Sequence, residues 1–159
     1  MKPRVYIETT VASYLTARPS RDVISLARQE ITRVWWRDKA SGYERVISQL
    51  VLSEAAAGDA EAAQERLKVI SGLPLLESSP EITRLAERFV RPDGLPAKAK
   101  DDAMHLAFCA VHAVPYLVTW NFRHLANPDN RHRLRLLCES AGYELPLICT
   151  PDEMLKGEL

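Results

Sequence analysis

The chain has 159 residues, of which 47% are hydrophobic and 26% are charged, and its formal net charge is zero. These values are typical of one globular domain spanning residues 1–159, and they exclude a disordered chain and a protein drawn to nucleic acid or membrane by its overall charge. The three cysteines have no paired spacing, the N-terminus has no apolar leader, and no apolar stretch is long enough to span a bilayer. We therefore expect a cytoplasmic protein without membrane contact.

Short apolar segments alternate with helical patterns along the whole chain. The five predicted strands are Arg4–Ile7, Arg45–Ser48, Pro74–Glu77, Pro115–Thr119 and Leu147–Cys149. Strands that alternate with helices pair in parallel, because each helix carries the chain back to the start of the next strand. The sequence therefore predicts an α/β fold, a three-layer α/β/α sandwich around a central parallel sheet of about five strands.

Three helices have recognisable start signals. Ser20 can cap a long helix, and the apolar positions on one face of that helix are Val23, Leu26, Ala27, Ile31, Val34 and Trp35. Ser79-Pro80-Glu81 places proline at the first position of a second helix. Thr150-Pro151-Asp152-Glu153 has the pattern of a capping box. These signals predict where the segments between the strands turn helical.

Ligands of parallel α/β sheets bind beyond the carboxyl ends of the strands, and four polar residues are expected there. Glu8 ends the first strand, Glu54 lies in the helix after the second, Asp102 lies in the first turns of a helix, and Asn121 follows the fourth strand. Each acid alone has an ordinary alternative: a solvated strand end for Glu8, an exposed helix position for Glu54, a helix cap for Asp102. Together, such carboxylates repel one another and need a cation, with oxygen-only ligation favouring Mg²⁺ or Mn²⁺ over zinc.

The helix that carries Asp102 has an apolar stripe at Leu106, Cys109 and Ala113. This spacing predicts that Asp102 points inward and Asp101 outward. His105, Cys109 and His112 also share helical spacing and could form a zinc face. No fourth ligand is evident, and the neighbours are apolar, so core packing is the favoured interpretation of these three residues.

Four blocks of the sequence resemble PIN-domain proteins, especially the VapC-like nuclease toxins of prokaryotes. The blocks are YIETTVASYL, ISQLVLSEAAAGD, KDDAMHLAFCAVHAVPYLVTWNFRHLAN and PLICTPDEML, in the family's order and over nearly the whole chain. The third block is the most specific. The resemblance implies a compact α/β/α fold and Mg²⁺- or Mn²⁺-dependent ribonuclease activity. It also implies a homodimer and a small antitoxin protein that neutralises the toxin.

The resemblance also implies roles for the four polar residues. By position, Glu8, Glu54, Asp102 and Asn121 match the catalytic acids of the family, and Glu8, Glu54 and Asp102 would hold the metal. Glu8 and Asn121 each stand where the family has aspartate, which leaves three carboxylates in place of four. Asn121 keeps an oxygen that can accept a hydrogen bond, so it is better suited to orient water or phosphate than to bind metal.

Two segments could contact RNA. Thr9 and Thr10 could offer a hydroxyl or a backbone N–H to a phosphate, or could cap the next helix. Basic residues cluster just after Asn121 and would place a positive rim beside the metal: they are Arg123, His124, Arg131, His132, Arg133 and Arg135. Of these, Arg123, His124, Arg131 and Arg133 are the candidate RNA contacts. The alternative is a solvated amphipathic helix whose core face is Leu134, Leu136 and Leu137.

The sequence thus predicts a metal-dependent ribonuclease, the toxin of a type II toxin–antitoxin pair. The alternative is a catalytically weak or inactive PIN-fold module that binds RNA or a protein partner. A different Mg²⁺-dependent enzyme, such as a phosphatase, ranks last, because it would need a nucleophilic aspartate where the chain has Glu8.

Overall fold

A parallel four-stranded sheet forms the centre of the fold in the computed structural model, which describes residues 1–155. The strands are β1 (Arg4–Ile7), β2 (Glu44–Val46), β3 (Tyr116–Val118) and β4 (Leu147–Cys149). Their order is β2-β1-β3-β4, and every neighbouring pair is parallel. The α/β class and the parallel sheet are confirmed, and β1 and β4 have the predicted bounds.

The prediction of a strand at Pro74–Glu77 is wrong. This segment makes only an isolated bridge between Leu75 and Ile47, just beyond the end of β2. Two backbone hydrogen bonds hold it, from the Ile47 N–H to the Pro74 carbonyl and from the Leu76 N–H to the Ile47 carbonyl. Because Pro74 has no N–H to donate, the ladder cannot extend past it, and among residues 1–155 the sheet has four strands, not about five.

Helices surround the sheet. They are α1 (Thr9–Thr16), α2 (Val23–Asp38), α3 (Gln49–Ala55), α4 (Ala60–Ile70), α5 (Pro80–Phe89), α6 (Lys100–Val111), α7 (Pro128–Ser140) and α8 (Pro151–Met154). Helix α2 packs against α1 and α8, and α5 packs against α6 and α7. This arrangement fits a three-layer sandwich. Within residues 1–155, no helix combines the length and the apolar character needed to cross a bilayer.

Two helix starts agree with the sequence, and one does not. Ser79 precedes α5 with proline at its first turn, and Thr150 and Glu153 form the capping box of α8. Helix α2 is capped by Asp22 and not by Ser20. The Asp22 carboxylate accepts the Ser25 N–H at 2.8 Å, whereas the Ser20 hydroxyl accepts the N–H of Asp22 itself, before the helix begins. The negative charge of Asp22 at this position also interacts favourably with the positive end of the helix dipole.

The buried face of α2 differs from the predicted apolar face. Val23 is 75% exposed and Ala27 is exposed as well. The fully buried residues of this helix are Gln29, Thr32 and Trp35. The two polar residues tolerate burial because each has partners: the Gln29 amide oxygen accepts the Ser20 N–H, and the Thr32 hydroxyl accepts the indole N–H of Trp120.

The order of the strands reverses next to β1. The chain passes from β1 to β2 on one side and then crosses to β3 and β4 on the other. Ligands of such sheets bind at the carboxyl edge beside this switch in strand order, next to the loops that follow β1 and β3. Val5, Tyr6 and Ile7 of β1 are fully buried, so this strand holds the residue that follows it, Glu8, at a defined place at that edge.

Candidate functional site

Glu8 is a buried carboxylate at the start of α1. It is 3% exposed and caps the helix, accepting the backbone N–H of Thr10 at 3.1 Å. Its other oxygen accepts the hydroxyls of Thr10 and Thr119, each at 2.5 Å. Three donors and a helix N-terminus compensate the loss of water around this charge. The alternative of a solvated strand end is therefore wrong, and the cap of α1 is Glu8 itself, not Thr9 or Thr10.

Glu54 faces the same edge from α3. Its Oε1 accepts the Thr9 hydroxyl at 2.6 Å and a ring N–H of His105 at 2.7 Å. Burial alone would raise the pKa of Glu54, but the hydrogen bonds from His105 and Thr9 and the charge of His105 outweigh it and hold the pKa below its usual value. Glu54 is therefore ionised and tied to two other elements, unlike an ordinary exposed helix carboxylate.

His105 connects Glu54 to the core. It lies on α6 and is fully buried. Its Nε2 contacts Glu54, its Nδ1 lies 2.7 Å from the Tyr6 hydroxyl, and that hydroxyl lies 2.7 Å from the hydroxyl of Ser48. With both ring nitrogens protonated, His105 donates from Nε2 to Glu54 and from Nδ1 to the Tyr6 hydroxyl, which can donate in turn to Ser48. The network therefore reaches from β1 to the site without an unpaired polar atom.

Opposing effects act on the pKa values of this network. Burial lowers the pKa of His105, but the hydrogen bond to Glu54 and the charges of Glu8, Glu54 and Asp102 outweigh it, so the pKa is raised. Burial raises the pKa of Tyr6 well above its usual value. The tyrosine is therefore a neutral hydrogen-bonding group, and His105 is the group that offsets the negative charge of the acids.

A carboxylate oxygen of Glu8, one of Glu54 and a ring nitrogen of His105 all lie within 4.8 Å of one another. Within residues 1–155 this is the one group of acids, histidines and cysteines close enough to share a metal ion. It contains His105 in the place where the sequence pointed to Asp102. The core-packing interpretation of His105 missed this contact. The available signal was its position three residues after Asp102, on the same face of α6.

The other two members of that helical spacing do not form a zinc face. Cys109 is fully buried, burial raises the pKa of its thiol well above the usual value, and within residues 1–155 it is not part of the group close enough to share a metal ion. The ring of His112 donates to the backbone carbonyl of Glu77. For these two residues the interpretation as structural residues agrees with their contacts.

Asp102 and Asn121 form a pair beside the tight group. The Asn121 amide donates to Asp102 at 3.0 Å, and the Asn121 side-chain oxygen accepts the backbone N–H of His124 at 3.0 Å. Burial raises the pKa of Asp102, the charge of Glu8 raises it further, and the hydrogen bond from Asn121 only partly opposes this. Asp101 is exposed, as predicted.

Thr119 joins the two groups. Its hydroxyl donates to Glu8 and accepts the backbone N–H of Asn121 at 2.9 Å. The four residues predicted to meet at the carboxyl edge therefore do so, through contacts between β1, α3, α6 and the loop after β3. The hydroxyls of Thr9 and Thr10, predicted to contact phosphate or cap a helix, donate to the carboxylates of Glu54 and Glu8.

The basic segment divides into two parts. Arg123 is exposed and His124 half-buried in the loop directly after Asn121. Arg131 and Arg133 lie on α7, where Arg131 is 3.8 Å from Glu153 and Arg133 bonds to Asn130. The α7 residues Arg131, His132 and Arg135 line a cleft of about 850 Å³ together with the end of α6 and β4, and none of the four acidic-site residues lines it.

Helix α7 agrees only in part with the alternative prediction of an amphipathic helix whose three leucines, Leu134, Leu136 and Leu137, face the core. Leu134 is buried and Leu137 is half-buried, but Leu136 is 51% exposed. The apolar face of α7 is therefore narrower than its three leucines predict, and basic side chains occupy much of its surface.

The fold and the site define an α/β protein with a buried carboxylate–histidine cluster at the carboxyl edge of a parallel sheet. Comparison with models of known protein families and with curated proteins finds no match for this chain.

Proposed function

We propose that this protein is a metal-dependent ribonuclease that hydrolyses phosphodiester bonds of RNA. The observation that supports the proposal is the convergence of Glu8, Glu54 and Asp102, from three different elements, at the carboxyl edge of the sheet. The resemblance of four sequence blocks to PIN-domain nucleases points to the same reaction.

The donor set fits a divalent cation. Carboxylate oxygens are the ligands that Mg²⁺ and Mn²⁺ prefer. Glu8 and Glu54, whose oxygens already lie close together, would hold the ion, and Asp102 would move closer to complete the set. The ring of His105 lies beside the Glu8 and Glu54 oxygens, but its two nitrogens bond to Glu54 and Tyr6, so the ion would be held by oxygen ligands. Oxygen ligands suit Mg²⁺ and Mn²⁺ alike.

The chain's own residues would orient the reacting groups. A bound divalent cation polarises a phosphoryl oxygen and lowers the pKa of a water molecule. Thr10 and Thr119 hold the carboxylate of Glu8 in one orientation, and Thr9 and His105 do the same for Glu54. Such preorganisation keeps the charged groups in place during the reaction.

Asn121 would position the substrate or water and would not hold the ion. One N–H of its amide donates to Asp102, and its oxygen accepts the N–H of His124. The second N–H of the amide is left to orient a water or a phosphate oxygen. This use of Asn121 needs no negative charge, so the replacement of the family's aspartate is compatible with hydrolysis.

Cleavage of RNA by the wild type and by Asp102→Asn, with added Mn²⁺, tests the proposal. We expect the wild type to cleave and the variant to lose at least about 100-fold in rate, the usual order for removing one electrostatic group from an active site. Asp101→Asn is the matched control, since Asp101 is the exposed neighbour on the same helix. Circular dichroism checks the fold. Equal cleavage by wild type and Asp102→Asn would overturn the assignment.

A second candidate is a weak or inactive module of the same fold that binds RNA or a protein partner. The observation in its favour is that Glu8 and Glu54 are already satisfied by hydroxyl, N–H and imidazole donors. Asn121 in addition supplies no charge. Calorimetric titration with Mn²⁺ separates the candidates, because the absence of binding at millimolar metal favours the module.

The biological setting of the proposed nuclease rests on the resemblance alone. It implies the toxin of a type II pair that acts in the cytoplasm, with a homodimer and a small antitoxin as partners. Growth arrest on expression in a bacterial host, relieved by co-expression of the neighbouring gene, tests the toxin role.

A further inference from the structure

A group of aromatic side chains with an arginine above it lies next to Asn121. Trp120 and Phe122 flank Asn121 in the chain, and their ring centroids are 6.0 Å apart. The guanidinium carbon of Arg28, from α2, lies 4.6 Å from the Phe122 centroid and 5.8 Å from that of Trp120. Trp120 is buried, but Phe122 is 43% exposed. We call the exposed ring of Phe122, together with the guanidinium of Arg28 that lies over it, the aromatic platform; the buried Trp120 is not part of it.

The platform is tied to the acidic site. The backbone N–H of Trp120 donates to the Thr10 hydroxyl at 2.9 Å, and that hydroxyl donates to Glu8. The indole N–H of Trp120 donates to the Thr32 hydroxyl at 2.7 Å, which fixes the orientation of the ring beside Phe122. Two hydrogen bonds therefore separate the carboxylate of Glu8 from the backbone that carries the platform.

Arg28 has unused donors. Within residues 1–155 its guanidinium makes no hydrogen bond and no ion pair, and its charge acts only at a distance on Asp22, as one of the smaller effects that lower the pKa of that acid. Its neighbours on α2 differ, because Arg33 bonds to Glu30 and Arg37 to Asp38. A guanidinium held against aromatic rings with its N–H groups free can donate to a phosphate or a base edge.

We propose that Phe122 and Arg28 form a stacking site for an unpaired nucleobase of RNA beside the acidic site. The identity of the ligand rests on the proposed function. Every nucleobase has a π-face that stacks on aromatic rings and on guanidinium planes, whereas a base inside a duplex keeps both faces covered. The proposed enzyme therefore prefers single-stranded RNA, with one base on the platform and an adjoining phosphate at the carboxylates.

Binding of a short fluorescein-labelled single-stranded RNA, measured by fluorescence anisotropy with Ca²⁺ in place of Mn²⁺, tests the stacking site. We expect Phe122→Ala to raise the Kd by about 5- to 150-fold, which corresponds to a stacking free energy of about 1–3 kcal/mol. Phe122→Tyr should restore binding, because it keeps the ring. Arg28→Lys should weaken binding although it keeps the charge, because the planar group is lost.

The matched control is Leu75→Ala, which removes an apolar side chain of similar exposure, 50%, from a segment next to Ile47. It should bind RNA as the wild type does. In an RNA of the same length with abasic residues, the phosphates remain and the bases are gone, so wild type and Phe122→Ala should bind equally. Equal binding of ordinary single-stranded RNA by these two proteins would overturn the stacking site.

The outcomes for the platform and for the ribonuclease can be told apart. Phe122→Ala should keep its affinity for Mn²⁺, measured by calorimetry, because Phe122 is not among the proposed ligands. Cleavage by Phe122→Ala with unchanged KM would refute the platform and leave the nuclease standing. Platform-dependent RNA binding without cleavage would refute the nuclease alone. A wild type that binds no RNA would refute both.

Discussion

The acidic site has an inner half, formed by Glu54, His105 and Thr9, and an outer half, formed by Asp102 and Asn121. Each half contains a carboxylate, but the groups that stabilise its negative charge differ. In the inner half, Glu54 accepts hydrogen bonds from His105 and Thr9, and its pKa lies below the usual value. In the outer half, Asp102 faces the neutral amide of Asn121, and burial together with the charge of Glu8 raises its pKa.

This difference indicates which carboxylate a bound cation would stabilise most. An acid with an imidazole and a hydroxyl as partners is stable without a metal ion. An acid opposite an amide is short of positive charge, and a divalent ion would supply it. The inner half therefore serves to hold the geometry, and Asp102 in the outer half is the acid that a bound cation would stabilise most.

Removing the imidazole from the inner half should have the largest effect on stability. His105→Ala removes one of the two partners of the Tyr6 hydroxyl and one of the two donors to Glu54, and it leaves a cavity in place of a fully buried ring. We expect the free energy of unfolding to fall by about 2–5 kcal/mol, the usual range for truncating a large buried side chain, measured by urea denaturation. The exposed His132→Ala should stay within about 0.5 kcal/mol of wild type. Similar small losses in both variants would contradict the structural role of the inner half.

Adding a charge to the outer half should sharpen the contrast in metal binding. Asn121→Asp provides a fourth carboxylate, and a unit charge near a cation contributes roughly 1–4 kcal/mol between the dielectric of water and that of a protein surface. We expect the Kd for Mn²⁺, measured by calorimetry, to fall by about tenfold or more. The metal-free variant should unfold at a lower temperature, because Asp102 loses the Asn121 donor and gains a repelling neighbour. An unchanged Kd would argue against a metal in the outer half.

Removing the charge of Asp102, in the outer half, should have the smallest effect on stability, and it should stabilise the metal-free protein slightly. Asp102 binds its proton more tightly in the folded protein than in the unfolded chain. Its contribution therefore favours folding below its usual pKa of 3.8 and is lost as the pH rises through the raised pKa.

Metal-free Asp102→Asn should consequently have a slightly higher Tm than wild type at neutral pH, with the difference vanishing in acid below that range. Thermal unfolding monitored by circular dichroism over a pH series measures it. Asp101→Asn, at the exposed neighbour, should show no such gain. A lower Tm for Asp102→Asn at neutral pH would contradict the view that this half lacks positive charge.

Much of the architecture could be predicted from local patterns. The bounds of β1 and β4, the starts of α5 and α8, and the meeting of Glu8, Glu54, Asp102 and Asn121 at one edge all follow from apolar segments, capping residues and the rule that parallel strands end on the same side. Each of these features depends on a few neighbouring residues, so a linear sequence contains it.

The rest was decided by contacts between distant parts of the chain. Residues 74–77 do not form a strand, because their only pairing with the segment after β2 is the bridge between Leu75 and Ile47. The buried face of α2 contains Gln29 and Thr32 because partners outside that helix satisfy them. No hydrophobic pattern encodes such partners, since burial of a polar group depends on what it meets in space.

His105 is the clearest example of this limit. In the sequence it is one polar residue on an apolar helix, for which core packing is the natural interpretation. In the structure it bonds to Tyr6, 99 residues earlier, and to Glu54, 51 residues earlier. The sequence by itself determined the strands and the acids that reach the carboxyl edge. Only the tertiary structure decided which charges are balanced there, because hydrogen-bond partners and burial together determine the protonation of each group.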